Sequence, residues 1–308
     1  MIQYIIRRLI QACFVVLGVI TVVFFVVRLT GDPIRLLLSQ TSSEADIQNV
    51  RHNLKLDRPL WEQYLTFVGN ALHGDFGKSI HFQGFDSMHL VLDRYPRTIQ
   101  LAVGALALSV TLSILFGVIA AVKRYSALDN AVTFLALIGQ SVPNFWLGIM
   151  LILIFAVRFG WLPSQGYNGF SPRYFLLPMI TLAAPSLARL TRLVRSGMLD
   201  VMDQDYVRTA RAKGLKEMLV IFRHGLKNAA IPLVTVIGLD FGNLLAGAVI
   251  TEQIFQWNGV GQLAVESINA RDFPVIQATV FLVAVSFVSI NLLIDILYTW
   301  LDPRVRLA

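Results

Sequence analysis

Three carboxylates, Asp240, Glu252 and Asp295, stand in or beside stretches that are otherwise almost wholly apolar. An ionisable group at membrane depth is costly, and it faces a cavity, a partner or the interior of a helix bundle. Asp240, in IGLDFGNLLAG, leaves two uses open: lining a pathway, or making a structural polar contact. Glu252 and Asp295 lie nearer the ends of their apolar runs, where the structural use leads. Covalent or acid–base catalysis needs a nucleophile beside a base, or paired carboxylates. The sequence offers neither constellation, so no catalytic residue is expected.

Two motifs imitate chemistry without supplying it. ALHGDFGKS, at 71–79, ends like a phosphate-binding loop. That loop needs a glycine five residues before the GK pair to let backbone N–H groups cradle phosphate, and Leu72 occupies the position. His73, His81 and His89 recur every eight residues, a spacing that does not stack side chains on one helix face. With no cysteine or HExxH pairing beside them, they read as solvated surface residues and no metal site is expected. His52 and His224 read as isolated. The single cysteine, Cys13, excludes an intrachain disulfide.

The elements that carry these residues are membrane spans. Of 308 residues, 56% are hydrophobic and 15% charged, against about a quarter charged in soluble domains; mean hydropathy is +0.64. A spanning helix needs about 20 mostly apolar residues. Six stretches qualify: 9–27, 99–122, 131–157, 174–193, 229–250 and 277–300. The third is long enough to tilt, or to kink at Pro143. The fourth is the weakest, interrupted by Pro178 and Pro185 and followed by Arg189, Arg192 and Arg195. Polar residues in these spans must be satisfied. Gln140, Ser141 and Asn144 beside Pro143, Asp240 and Asn243 in the fifth span, and Asn291 in the sixth are therefore candidates for a translocation path or for interhelical hydrogen bonds. Gly238, Gly242, Ala246 and Gly247 would admit a closely packed helix, from a second subunit among other sources.

A net charge of +7 would suggest nucleic acid in a soluble protein; here the cations report topology instead. Lys and Arg concentrate at 7–8, 123–124, 189–227 and 304–306, which places both termini and the longest basic loop in the cytoplasm. The chain then divides into a tail and first span at 1–29, an extracytoplasmic segment at 30–98, and a five-span core at 99–308. EADIQNVRHNLKL and LWEQYLTFVGNALHG in the outer segment have helical apolar spacing and predict two short amphipathic helices, on the membrane surface or capping the bundle.

Charge alone does not account for DYVRTARAKGLKEMLVIFRHGLKNAAIP at 205–232. Val207 to Leu219 predicts an amphipathic helix with Val207, Ala210, Leu215, Met218 and Leu219 as apolar contacts, and Arg208, Arg211, Lys213 and Lys216 exposed. A short solvent-facing helix between two spans suits docking into a partner's groove. Gly214 costs a helix about 1 kcal/mol relative to alanine and permits a sharp bend.

This stretch resembles the cytoplasmic EAA loop of ABC importer permeases. Arg208, Thr209 and Ala210 occupy the EAA positions and Gly214 the glycine, while His224, Leu226 and Lys227 stand where a later Ile, Leu and Pro would be. RTARAKG followed by RHGLKNA looks like the variant of the dipeptide, oligopeptide and nickel branch. MIQYIIRRLI, GDP at 31–33, LKLDRPLWEQYL, GDFGKS, SVPNFWLGIMLILIFAVRFGWLPSQG, GAVITEQIFQWNGVGQL, RDFPVIQA and INLLIDILYTWLDPRVR extend the likeness along the chain. The resemblance implies an all-α, six-span type I importer permease in the bacterial inner membrane. It implies a second homologous permease, two cytoplasmic ATPases that hold ATP and Mg, and an extracytoplasmic binding protein. It also implies a coupling loop at about 196–228, in which Arg208, Thr209, Ala210, Arg211, Lys213, Gly214 and Leu215 engage the ATPase. Short peptides are the expected cargo, with nickel or glutathione as alternatives. A self-contained secondary transporter using Asp240 is a different class, disfavoured by the absence of recognisable internal repeats.

Overall fold

The computed structural model describes residues 2–29, 48, 52, 57–82, 84–169 and 171–301. Among them the elements are helices in chain order: α1 (Ile2–Leu29), α2 (Leu60–Leu72), α3 (Ser87–Val122), α4 (Ala127–Ser141), α5 (Asn144–Leu151), α6 (Pro172–Met202), α7 (Asp205–Ala212), α8 (Glu217–Leu219), α9 (Lys227–Phe255), α10 (Val260–Ala270) and α11 (Phe273–Leu301). Wider π-helical turns continue α5 through Ile152–Arg158 and join α8 to α9 through Val220–Leu226. The first expected amphipathic segment, at 44–56, the Asp295 side chain and the basic residues at 304–306 lie outside the described residues.

Among the described residues, five helices are long and apolar enough to cross a membrane, six if α4 and α5 form one broken span. α3 has 36 residues, about 54 Å at 1.5 Å per residue. That exceeds the roughly 30 Å of bilayer hydrocarbon, so the helix starts at Ser87, well before the apolar run at 99–122. Pro143 does more than kink the third span. It holds Val142 extended, at φ −77° and ψ 125°, as a residue before proline prefers, and the two helices meet at 106°. α6 corrects the opposite expectation, because Pro178 and Pro185 do not interrupt it. Packing overrides the lost backbone bonds: buried residues run from Leu177 to Met198, and half of the helix's apolar window is covered by neighbours. α10 was not anticipated. Left-handed residues at Gln256 and Asn258 precede it and left-handed Arg271 ends it.

Two compact units divide the described structure. One comprises residues 1–97 and 258–292. Its core holds Ile20, Ala71, Phe76, Val91, Val260, Leu263, Val275 and Ala278. The expected amphipathic α2 lies against α1 here: the Tyr64 and Phe67 rings stand 5.3 and 5.5 Å from the Phe24 ring. His52, expected to be isolated, is 2.7 Å from Asp57, whose carboxyl it holds below the usual range by hydrogen bonding. The GDFGKS and RDFP motifs meet in this unit. Buried Asp272 accepts the Ser79 hydroxyl and the N–H groups of Ile80 (3.2 Å) and His81 (3.0 Å). The serine that would face a metal ion in a phosphate loop is thus committed to pinning a turn. Asp272→Ala leaves these donors without their acceptor, at about 1–3 kcal/mol for a buried group. Amide exchange at Ile80 and His81 should accelerate at least about tenfold, the equivalent of 1.4 kcal/mol; unchanged exchange would show that the clamp holds nothing.

The second unit comprises residues 98–257 and 293–308. Its core joins α3, α6 and α9 through Val118, Ala121, Leu190, Val194, Met198, Ile221, Ala229 and Leu233. α3 and α6 touch where Gly117 lacks a side chain: a Cβ there would lie 2.6 Å from the Val194 Cβ and 2.9 Å from the Thr191 carbonyl oxygen.

Candidate coupling loop and membrane-embedded polar groups

α7 is an eight-residue helix held by a small apolar cluster. Val207 (0% exposed) and Ala210 (4%) pack with Val220 and lean on Val201 and Met202, at the end of α6. Arg208, Thr209, Arg211, Lys213 and Leu215 are exposed. Asp205 in the first turn and Arg211 in the last both suit the helix dipole. The helix closes in a Schellman motif, with Gly214 N–H donating to the Arg211 carbonyl (2.9 Å) and Leu215 N–H to the Ala210 carbonyl (3.4 Å). Gly214 sits at φ +75°, and nothing lies within 4 Å of where its Cβ would be. Its requirement is therefore backbone conformation, not space.

The single helix expected over 207–219 is corrected accordingly. α7 ends at Ala212, and Leu215, Met218 and Leu219 stay exposed while Val220 supplies the third buried contact. The bend is bridged by Arg211 and Glu217, with Nη2 2.8 Å from Oε1. Hydrogen bonding to Arg211 holds the Glu217 carboxyl below its usual range and Glu217 holds the Arg211 guanidinium above its own. A carboxylate whose pKa falls on folding stabilises the fold above its unfolded pKa and loses that contribution as pH falls through the lowered folded value. The bridge should therefore persist throughout the neutral range and fail only in acid. Exposed pairs are worth about 0–1 kcal/mol, so Glu217→Gln should raise amide exchange over residues 213–219 by no more than about fivefold at neutral pH. A larger change would mean that the pair holds the segment by itself.

At membrane depth, polar groups pair across helices. Asp240 is 1% exposed, accepts the Ser186 hydroxyl at 2.6 Å and faces Arg189 Nη2 at 2.5 Å. Arg189, counted with the basic loop by its position, is thus paired inside the helix bundle. Arg195 is paired as well: its Nε and Nη2 reach the two oxygens of buried Asp129, in the first turn of α4, at 2.6 and 2.8 Å. Glu252, fully buried, accepts the Thr98 hydroxyl at 2.6 Å.

The other path candidates are spread more widely. Gln140 and Ser141 are exposed at the end of α4, Ser141 donating to the Leu137 carbonyl, and Asn144 is half-buried at the start of α5. Asn243 is exposed one turn beyond Asp240 on α9. Asn291 belongs to the first unit, and its Oδ1 is buried with no hydrogen-bond partner among the described residues. Two of the small residues of α9 face other helices of the chain itself, while Ala246 is exposed. A Cβ on Gly238 would meet Ile294 at 2.5 Å, and one on Gly247 would meet Leu182 at 3.6 Å. No cluster of three His, Cys, Asp or Glu able to hold a metal ion occurs among the described residues.

Known proteins match this chain over its length. The family described as binding-protein-dependent transport system inner membrane component covers residues 113–307, and its N-terminal counterpart covers residues 1–102. The chain belongs to this permease family. The oligopeptide transport system permease protein AppB of Bacillus subtilis is 41% identical over 99% of this chain and 100% of its own length. The glutathione transport system permease protein GsiC of Pectobacterium atrosepticum is 42% identical, with 99% of each chain covered. The di/tripeptide transport system permease protein DppB of Pseudomonas aeruginosa is 39% identical over the same shares. For the fold, an inward-facing structure of the MetNI methionine ABC transporter superposes with a TM-score of 0.59 at 18% identity, covering 70% of this chain and 97% of that one.

The permease also contains an ion pair that its sequence does not announce. Asp129 reads as an ordinary first-turn acid of α4, and the only local signal is Ser126 three residues earlier. Ser126 caps the helix by accepting the Asp129 N–H at 3.3 Å, and Asp129 reaches back to the Tyr125 N–H at 3.0 Å. Its bond to Arg195 is 66 residues away in sequence, beyond any local pattern.

Proposed function

We propose that this permease is the non-catalytic membrane subunit of an ATP-driven importer of short peptides. It forms half of the translocation path with a second homologous permease. Two cytoplasmic ATPases hold ATP and Mg and hydrolyse the ATP, and an extracytoplasmic binding protein delivers cargo. The observation that carries the reading is α7, a short cation-bearing helix seated on Val201, Met202 and Val220 and closed by the left-handed turn at Gly214. Arg208, Thr209, Arg211, Lys213 and Leu215 face the ATPase, while Ala210 and Gly214 fix the helix and its turn. This requires both termini on the cytoplasmic side, as the distribution of Lys and Arg favours.

Force on α7 has two exits. Val201 and Met202 end α6, and Val220 begins the segment leading into α9. α6 and α9 pack together along their lengths, at Gly197 against Ala229, Ser186 on Asp240, and Leu182 against Gly247. Displacing α7 therefore moves a helix pair as one body, the linkage that ATP-driven alternation between two states needs.

The peptide reading rests on full-length relatives named for oligopeptides and di/tripeptides; glutathione, named for another relative, is itself a tripeptide. Reconstitution with the partner subunits decides it by uptake of labelled dipeptide, glutathione and Ni²⁺. ATP-dependent uptake of a peptide supports the reading. Uptake of Ni²⁺ alone, or flux through this chain without any ATPase, would overturn it.

A further inference from the structure

We propose that Arg189 is a contact for the C-terminal carboxylate of the peptide in transit, held ready by Asp240; this rests on the peptide-import reading above. Asp240 lies eight residues inside the apolar stretch Pro232–Phe255, about 12 Å along the helix at 1.5 Å per residue. The carboxylate is buried, yet the guanidinium paired with it keeps 44% of its side chain exposed. A cation left open at this depth does not face lipid, because the cost is several kcal/mol; such groups face a cavity or a partner.

The donor geometry points to what fills the opening. A guanidinium carries five N–H donors in a planar fork. Among the described residues, Nη2 toward Asp240 is its one polar contact, so Nε and Nη1 stay available. Asp240 is in turn fixed by the Ser186 hydroxyl, which sets the fork's position before any ligand arrives. A fork of this kind matches a carboxylate in bidentate fashion, as a lysine cannot. Every linear peptide with a free C-terminus presents such a group, whatever its side chains. A contact to it would serve a permease that must pass many sequences.

The neighbourhood is polar where a path would need it. Gly139, immediately before Gln140 and Ser141, would place a Cβ 3.4 Å from the Ala188 Cβ, immediately before Arg189. The backbone just before the break of the third span therefore packs against the turn that carries Arg189, and exposed Gln140 and Ser141 follow it in sequence. Because Asp240 neutralises it, the cation need not hold an anion tightly, and passage requires that it let go.

The test uses the complete transporter in nanodiscs, with exposed Cys13 replaced by Ser and Arg189→Cys introduced. Labelling of position 189 by a cationic methanethiosulfonate is followed by mass spectrometry of this chain. A saturating free dipeptide should slow labelling at least about fivefold by mass action, whereas the same dipeptide amidated at its C-terminus should not. The attached ammonium should restore dipeptide uptake, and an anionic reagent should not. Equal protection by both dipeptides, no protection, or a position 189 sealed by another subunit overturns the proposal. If Arg189→Cys alone fails to assemble because Asp240 is orphaned, Arg189→Cys with Asp240→Asn removes both charges and carries the protection assay. Parallel uptake by the parent complex separates the two claims: no peptide import removes the proposed function, while import without selective protection removes only the role of Arg189.

Discussion

Ala210→Asp should reduce import to background, at least about 100-fold, while the chain still inserts and its spans still pack. α7 is fastened by few groups. Full burial of an aliphatic side chain contributes about 1.5–3 kcal/mol, so Val207 and Val220 together hold the segment by about 3–6 kcal/mol. Ala210 sits between them at 4% exposure, and its carbonyl also accepts the Leu215 N–H that closes the turn. A carboxylate at that position either stays buried, at a cost of several kcal/mol, or swings out and carries α7 off Val201 and Met202. Either outcome cancels the fastening without reaching the core around Leu190 and Val194. The measurement is paired: uptake by the reconstituted transporter, and melting of the detergent-solubilised chain. Normal uptake would show that α7 does not transmit force. Gly214 gives a graded companion result. Left-handed geometry costs a non-glycine residue about 1–2 kcal/mol, and asparagine tolerates it better than alanine. Gly214→Asn should therefore retain more uptake than Gly214→Ala.

Much of this architecture is legible in the sequence, and the failures share a cause. Apolar runs mark five helices and the broken sixth span because burial in lipid is a property of each residue and its near neighbours. Pro143 could be read because proline restricts the residue before it. Pro178 and Pro185 mislead for the converse reason: whether a helix survives a missing bond depends on what packs around it, and α6 is surrounded. The loop at 205–232 announces Gly214 but not where α7 ends, since the Schellman closure pairs Leu215 with Ala210 and so turns an expected buried leucine outward.

Charges show the same limit. Counting Lys and Arg assigns a side of the membrane by position, so Arg189 and Arg195 read as cytoplasmic cations like Arg192. Their partners, Asp240 and Asp129, are 51 and 66 residues away in sequence, and nothing local distinguishes a paired arginine from a solvated one. Asp240 left two uses open at the outset. Its burial beside Ser186 and Arg189 accounts for a polar contact between α6 and α9, and the exposed Arg189 side chain is the group proposed to meet cargo.

The pair between α4 and α6 carries the second large effect, and its two halves should not be equivalent. Asp129 is 3% exposed at the side chain and Arg195 27%. Removing one partner of a buried pair costs about 3–5 kcal/mol because the other charge is stranded. In Arg195→Met the stranded group is a carboxylate left, among the described residues, with the Tyr125 N–H at 3.0 Å and the Thr133 hydroxyl at 3.5 Å to satisfy it. In Asp129→Asn the stranded group is a guanidinium already more than a quarter exposed, which can turn toward water, and the asparagine oxygen still accepts from Tyr125. Arg195→Met should therefore be the more damaging, lowering the melting temperature in detergent by roughly 6–20 °C at about 2–4 °C per kcal/mol. Combining Asp129→Asn with Arg195→Met removes the stranded charge and should recover most of that loss. Equal single effects that simply add in the double variant would mean that the two residues act independently, and that α4 is held to α6 by its apolar contacts alone.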